Sequence, residues 1–281
     1  MLNLKSWLKL TRIEHSLMLS IAVITAELLS GSITLDIILL SLVAPWLISM
    51  GAFAINDYYD VDADRANKRL DRPLVNGSIS KDSAFKASII FFVVGTAFSV
   101  FNIYAFLIAA IFAVLAFLYS YKLKDTILIG NIYIAFTMVI PFIYGAEVAA
   151  ESINTNIILL SLLIFLAGLA REIHGMIRDY IGDKKARKSN NLIAHIGEKS
   201  SSIIAFILYL EAIIISIYLF FYSEPFLYNF IFLFLILITD IMLIYVSIIY
   251  IKGLEDKYKQ SRNISLAAMS LALIAFFLAV I

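Results

Sequence analysis

The chain contains no cysteine in its 281 residues. That absence excludes disulfides, thiolate metal sites and cysteine nucleophiles together. Charge is scarce as well: Asp, Glu, Lys and Arg make up 15% of the chain and nearly cancel, at a net +1. Such a balance offers nothing to draw nucleic acid, and no nucleic-acid partner is expected. The N-terminus lacks the uninterrupted apolar core of a secretory signal. Over residues 1–15, Leu2, Leu4, Trp7, Leu8 and Leu10 are interleaved with Lys5, Lys9 and Arg12, a pattern that reads as a short interfacial helix before the first span.

Apolar side chains are abundant instead, at 62% of residues with a mean hydropathy of +0.94. A water-soluble domain of this length could not hide that much apolar surface, so the bilayer must be part of the solvent. Apolar stretches long enough to cross a hydrocarbon core lie at 16–34, 36–55, 85–101, 104–121, 127–148, 155–178, 201–221, 226–251 and 264–281. The expected fold is an all-α membrane protein of about nine transmembrane helices.

Positive charge is missing from every second connection. With the N-terminus in the cytoplasm, all 22 Lys and Arg fall at the N-terminus or on the even-numbered connections and their helix ends, in the runs Lys5–Arg12, Arg65–Lys86, Lys122–Lys124, Arg171–Lys199 and Lys252–Arg262. The odd-numbered connections carry only Asp36, Glu147, Glu151 and Glu224. This is the asymmetry of the positive-inside rule, and it predicts a cytoplasmic N-terminus in a multi-pass protein of the cell membrane. The two longest basic connections, 56–84 and 179–200, both open with aspartates and lie four spans apart, the mark of a weak internal repeat.

In the first, Asn56-Asp57-Tyr58-Tyr59-Asp60-Val61-Asp62-Ala63-Asp64-Arg65 closes the second helix. Asp57, Asp60 and Asp64 are spaced i, i+3, i+7 and share one face, whereas Asp62 points elsewhere. Three carboxylates on one face repel one another, and a helix C-terminus favours cations, so the arrangement needs a compensating positive charge. Hard oxygen ligands suit Mg²⁺, which is commonly shared between carboxylates and substrate phosphates. The bland alternative is a solvated acidic loop bridged to Arg65, Lys68, Arg69 and Arg72; for Asp62 and Asp71 it is the better reading. In the second connection Asp179 and Asp183 are spaced i, i+4, with Glu172 behind them on the same face; the alternative here is pairing with Arg178, Lys184 and Arg187 on a wet surface. Two aspartate faces can clamp one diphosphate through metal ions.

At these residues the sequence resembles the UbiA superfamily of intramembrane prenyltransferases. Asn56 to Asp64 fits the NDxxDxxxD motif, and Asp179 to Asp183 fits DxxxD. Arg65 with Asn67, Asp71-Arg72-Pro73-Leu74, Gly77-Ser78-Ile79-Ser80, Tyr119-Ser120-Tyr121-Lys122-Leu123-Lys124 and Gly130-Asn131 match further family patterns. Within the superfamily the likeness is greatest to archaeal digeranylgeranylglyceryl phosphate synthases, through Arg171-Glu172-Ile173 and Gly182-Asp183. It departs from them at Met176, where those synthases carry a further Asp, and at Val75, where they carry Pro. Without an acid at 176, Glu172 or fewer ligands must hold the second metal.

The resemblance implies a single transmembrane domain over 1–281, a helical bundle around a central cavity with the Asp-rich loops 56–84 and 179–200 at its cytoplasmic face. It implies Mg²⁺ held by Asp57, Asp60, Asp64, Asp179 and Asp183, with Asn56 as ligand or hydrogen-bond donor beside them. Lys122, Lys124, Arg72 and Arg65, with Asn67 and Tyr119, would bind the diphosphate of a polyprenyl donor. Tyr58, Tyr59 and Tyr119 are candidates to face the cationic prenyl carbon. An acceptor phosphate needs a further cation, for which Lys9, Arg12, Arg171 and Arg178 are candidates. His15, His174 and His195 read better as structural or surface residues than as bases. Glu27, Glu211 and Asp240 fall inside spans and should face the bundle or an interface. The acceptor is either a lipid such as geranylgeranylglyceryl phosphate or an aromatic acid. A cation-coupled transporter is the competing class, disfavoured because its ion site would lie near mid-bilayer rather than beside basic loops.

Overall fold

The structure, a computed structural model, describes residues 4–31, 34–126, 128–150, 153–183 and 192–281, the side chains at 125 and 181–183 excepted. Among them the regular elements are helical: α1 (Leu4–Thr11), α2 (Glu14–Ser30), α3 (Leu35–Ala66), α4 (Lys81–Ala97), α5 (Ile103–Tyr121), α6 (Ile129–Ala150), α7 (Thr155–Asp183), α8 (Leu192–Ile196), α9 (Glu198–Tyr222), α10 (Phe230–Ile251) and α11 (Tyr258–Val280). Short 3-10 turns at Leu123–Asp125 and Glu255–Lys257 follow α5 and precede α11.

Each of the nine expected apolar stretches coincides with a separate helix. Seven of the helices are long and apolar enough to cross a membrane alone, and an eighth span results if α1 and α2, bent by 47°, are taken together. The remaining one, α4, has 17 residues, short for the roughly 20 that an apolar span needs. The count of about nine is therefore approximate.

The chain forms two compact units. The first comprises Met1–Lys124 with Tyr144–Ser152, the second Asp125–Ile143 with Ile153–Ile281. Within each, small residues let helices approach closely, the usual solution where lipid tails compete with side chains for apolar contact. In the first unit a Cβ on Gly51 of α3 would meet Phe92 at 2.9 Å, and one on Gly95 of α4 would meet Leu47 at 3.0 Å and the Ala44 carbonyl at 3.2 Å. The two helices thus exchange glycines across their contact. In the second unit α11 buries Ser261, Ser265, Ala268, Ala272, Ala275 and Ala279 in alternating steps of four and three, one continuous stripe. The opposite faces stay apolar and open, as with Phe230, Phe234 and Ile241 of α10, which is what a lipid-facing surface requires.

Polar groups inside the units are mostly matched. Asn102 caps α5 by accepting from the Tyr104 and Ala105 amides at 2.9 Å, and its amide donates to the Glu147 carbonyl at 3.0 Å. Asp240 is buried and accepts from the Ser216 hydroxyl at 3.1 Å, whereas Glu27 is fully buried with neither carboxylate oxygen hydrogen-bonded among the described residues. Glu211 does not face the bundle: it falls off the buried α9 stripe of Ala205, Tyr209, Ala212 and Ser216 and is exposed.

Candidate active site

Helix α3 continues past its apolar stretch to Ala66, so the i, i+3, i+7 aspartates are held on a rigid element. Asp57 is the deepest, at 2% side-chain exposure. Its Oδ1 accepts from Arg12 Nη2 at 3.2 Å and pairs with Arg72. Arg72 Nε also lies 3.8 Å from Asp64, so this guanidinium joins two of the three carboxylates. Asp60 pairs with Lys124 through one oxygen and accepts from Asn56 Nδ2 at 2.9 Å through the other. Three carboxylates thus face three cations, each brought from a different part of the chain.

Local structure explains how each cation arrives. Arg12 sits in the turn between α1 and α2 with φ 47, its guanidinium 4.5 Å over the Phe53 ring, a cation–π contact that anchors it beside Asp57. Arg72 lies in a run of turns after α3, where the Arg69 amide donates to the Asp64 carbonyl and the Asn76 amide to the Arg72 carbonyl. Gly77, at φ 76, makes the left-handed reversal there. Ser80 then caps α4 by accepting from the Ser83 amide at 3.1 Å. Leu74 and Ile79 pin this loop into a buried cluster with Leu10, Ala54, Val61 and Ala84. Lys124 is set by the 3-10 turn that ends α5.

The other acids and bases of this stretch behave as solvated pairs. Asp62, 80% exposed, bonds Arg65 at 3.5 Å, and Asp71 accepts two hydrogen bonds from Arg69 at 3.0 and 3.1 Å. Those bonds hold the Asp71 carboxyl down at about 2. Arg65, expected at the diphosphate, is thus placed on the Asp62 side of the helix. Asn67 and Lys122 are exposed helix C-caps, and Tyr119 is half-buried on α5. Tyr58 packs edge-on to Tyr59, with Lys81 4.8 Å over its ring, and Tyr59 also touches Phe117 and Tyr121.

Among the described residues no three acidic or histidine side chains converge into a ready metal cluster. The donor set nonetheless fits Mg²⁺. That ion retains several waters and binds through one or two carboxylates plus substrate phosphate rather than in an all-protein cage. Asp60 and Asp64, at 33% and 14% exposure, are reachable carboxylates of that kind.

The second acidic end differs. Asp179, 65% exposed, pairs with the adjacent Arg178 at 2.8 Å. Glu172 accepts from the adjacent Arg171 at 3.5 Å and from Asn131 Nδ2 at 3.4 Å. The side chain of Asp183 lies outside the described residues. A cavity of about 310 Å³ opens here, lined from α7 by Arg171, Glu172, His174, Met176, Arg178 and Asp179 and closed by α10 and α11. His174 stacks flat on Tyr250 at 4.0 Å, and Tyr250 on Tyr258 at 4.2 Å. Tyr250, Ser261, Arg262 and Ser265 also line the cavity and were not singled out from sequence. Only the basic run 252–262 hinted at Arg262.

Compared with known proteins, the profile described as the UbiA prenyltransferase family matches residues 17–274. The chain belongs to the UbiA prenyltransferase family. It is 35% identical to the digeranylgeranylglyceryl phosphate synthase of Archaeoglobus fulgidus, covering 99% of this chain and 97% of that protein. It is likewise 35% identical to the synthase of that name from Saccharolobus solfataricus, again over 99% and 97%. A solved structure described as giving insights into digeranylgeranylglyceryl phosphate synthase in membranes superposes with a TM-score of 0.81 at 31% identity, over 100% of this chain and 99% of that one. A UbiA homologue from Archaeoglobus fulgidus bound to GPP and Mg²⁺ shares the fold, with a TM-score of 0.71 at 21% identity over 98% and 99%. The all-helical membrane fold and the prenyltransferase class expected from sequence are those of the family.

Proposed function

We propose that the protein transfers a geranylgeranyl group from its diphosphate to the free hydroxyl of geranylgeranylglyceryl phosphate, a step of archaeal ether-lipid assembly. The observation that carries this reading is the α3 face itself, with Asp57, Asp60 and Asp64 set against Arg12, Arg72 and Lys124. Full-length relatives that bear the synthase name support the choice of acceptor.

In this reading the whole chain is one prenyltransferase domain. Residues 1–15 lie at the interface, and the loops 56–84 and 179–200 serve the reaction at the cytoplasmic side, the orientation that the basic residues favour. Asp57, Asp60, Asp64 and Asn56 from one stretch, and Asp179 and Asp183 from the other, would hold Mg²⁺ for the donor diphosphate. Bound there, the metal supplies Lewis-acid stabilisation of the leaving group. Arg72 and Lys124, with Lys122 nearby in sequence, neutralise the charge that grows on the diphosphate as the C1–O bond breaks, and Asn67 and Tyr119 offer it hydrogen bonds. Preorganised cations at that point favour the transition state over the ground state. The acceptor hydroxyl oxygen attacks C1 and gives up its proton to the leaving diphosphate or to water, and the diphosphate takes the electrons of the broken C1–O bond.

The test is a transfer assay on purified protein with geranylgeranyl diphosphate and Mg²⁺, offering either geranylgeranylglyceryl phosphate or an aromatic acid. Transfer to the glyceryl phosphate is expected. Transfer to the aromatic acid alone would replace this reading by an aromatic prenyltransferase.

A further inference from the structure

The α7–α10–α11 cavity carries more guanidinium than its own carboxylates neutralise. Of its three arginines, Arg171 is matched by Glu172. Arg178 is matched by Asp179, but Asp179 is largely in solvent, where an ion pair is weak and exchangeable. Arg262 has no carboxylate within ion-pairing distance among the described residues, and it borders the same cavity. Arg262, itself exposed, and the loosely held Arg178 therefore border a polar, partly open space at the end of these helices.

The remaining walls narrow the ligand class. Ser261 and Ser265 are buried, and their hydroxyls donate to the Lys257 and Arg262 carbonyls of their own helix at 3.0 and 2.9 Å. They leave room but no donor, so recognition of an anion falls to the arginines. Guanidinium matches the oxygens of a phosphate or a carboxylate two at a time, so it is the amount of charge that separates the two. His174, buried and flat against Tyr250, lines the same space with neither ring nitrogen partnered, so it can add one N–H to those of the arginines. A phosphate monoester carries about −1.5 to −2 charges near neutrality, close to the two cations on offer, whereas a diphosphate carries more. The space, about 310 Å³, accommodates a glycerol phosphate headgroup.

We propose that this cavity seats the phosphate monoester of the acceptor, with Arg262 as its principal anchor and Arg178 as the second. The assignment rests on the synthase reading above and adds to it the residues that hold the acceptor's headgroup. Arg262 binds the phosphate bidentately. Arg178 leaves Asp179 to share it, which frees that carboxylate when the acceptor arrives. Acceptor binding and the acidic end of α7 are coupled in this way through one side chain.

The experiment uses the full chain in nanodiscs of neutral lipid, with two readouts. In steady-state transfer, Arg262→Ala raises the KM for geranylgeranylglyceryl phosphate by about 10- to 100-fold, the range for losing a charge-assisted pair. The KM for the prenyl diphosphate stays within about twofold, and Arg262→Lys recovers part of the loss. In thermal unfolding, glycerol 1-phosphate raises the Tm of the wild type, and Arg262→Ala and Arg178→Gln each shrink that shift; their Tm without ligand reports whether they fold. Unchanged acceptor KM together with an unchanged Tm shift overturns the proposal. So does an equal rise in the donor KM, with inorganic pyrophosphate as the ligand whose shift is lost, since the cavity is then a diphosphate site. If instead Arg262→Ala abolishes only the stabilisation by vesicles rich in phosphatidic acid, the cavity serves bulk lipid headgroups and the proposal falls. A wild type that prenylates only aromatic acids defeats the synthase reading; loss of the glycerol 1-phosphate shift in Arg262→Ala then still supports the phosphate site, and its persistence removes it.

Discussion

The two longest helices, α3 and α7, both end in aspartates, yet their counter-charges come from different distances along the chain. Arg12, Arg72 and Lys124 reach the α3 acids from 45, 15 and 64 residues away. At α7 the arginines are the immediate neighbours of Glu172 and Asp179. The first end is therefore a product of tertiary structure: its carboxylates are met only when the α1–α2 turn, the loop after α3 and the turn after α5 are all in place. The second end has its ion pairs between adjacent residues, and what folding adds there is the cavity and the Asn131 hydrogen bond to Glu172. The prediction is that damage to the first end registers in stability and activity together, and damage to the second in activity alone.

The sharpest break is Asp57→Ala. It strands Arg12 and leaves Arg72 only its longer contact to Asp64; breaking a buried pair costs about 3–5 kcal/mol because the remaining charge is uncompensated, and the partial exposure of the two arginines puts this case at the lower end. Turnover should vanish and the unfolding midpoint in detergent should drop together. A stable, folded Asp57→Ala protein would mean that the α3 end is not built as described. Chelation comes next. EDTA should remove turnover, and excess Mg²⁺ should restore it, while the Tm of the substrate-free protein barely moves, because Asp57, Asp60 and Asp64 each already face a cation. Activity that survives chelation would refute the metal role.

Asp179→Ala carries the contrast to the other helix. Its carboxylate is largely solvated, and such surface changes usually fall within about ±0.5 kcal/mol. Turnover should fall by at least about tenfold with an unaltered melting curve, the effect of one lost charged contact to the reacting group. A stability loss as large as that of Asp57→Ala would erase the distinction between the ends. Arg72→Lys is a finer probe. A point charge cannot join Asp57 and Asp64 as the planar guanidinium does, so donor KM should rise by several-fold while acceptor KM does not.

How far sequence reached can be seen in the same two helices. Hydropathy located α3 at 36–55 and α7 at 155–178, but the helices run on to Ala66 and Asp183. Hydropathy reports where lipid is, whereas a helix ends where its backbone hydrogen bonds do, and Asp57 to Asp64 continue that ladder in water. At α4 the stretch 85–101 was displaced because Ser80, not the first apolar residue, starts the helix. The spacing of Asp57, Asp60 and Asp64 was legible because periodicity is local. The partners were not: nothing in the chain near Asp60 points to Lys124. Arg12 was assigned to the acceptor, and only tertiary structure brings it to Asp57. The Arg262 wall of the cavity was hidden for the same reason, since it depends on how α10 and α11 pack against α7.

The smallest expected effect tests the helix face itself. Asp62 lies between two of the aspartates assigned to the metal, carries the same charge, and is within two residues of both Asp60 and Asp64. A merely acidic segment would treat all four alike. In the structure Asp62 turns to solvent and meets Arg65 in an exposed pair, of the kind worth at most about 1 kcal/mol. Asp62→Asn should therefore keep turnover within about twofold of the wild type, at unchanged Mg²⁺ dependence, while Asp60→Asn loses nearly all of it. If the two substitutions were equally damaging, it would be the net charge of the segment, and not the geometry of one helical face, that binds the diphosphate. The pair measures how much of the site is placement and how much is charge.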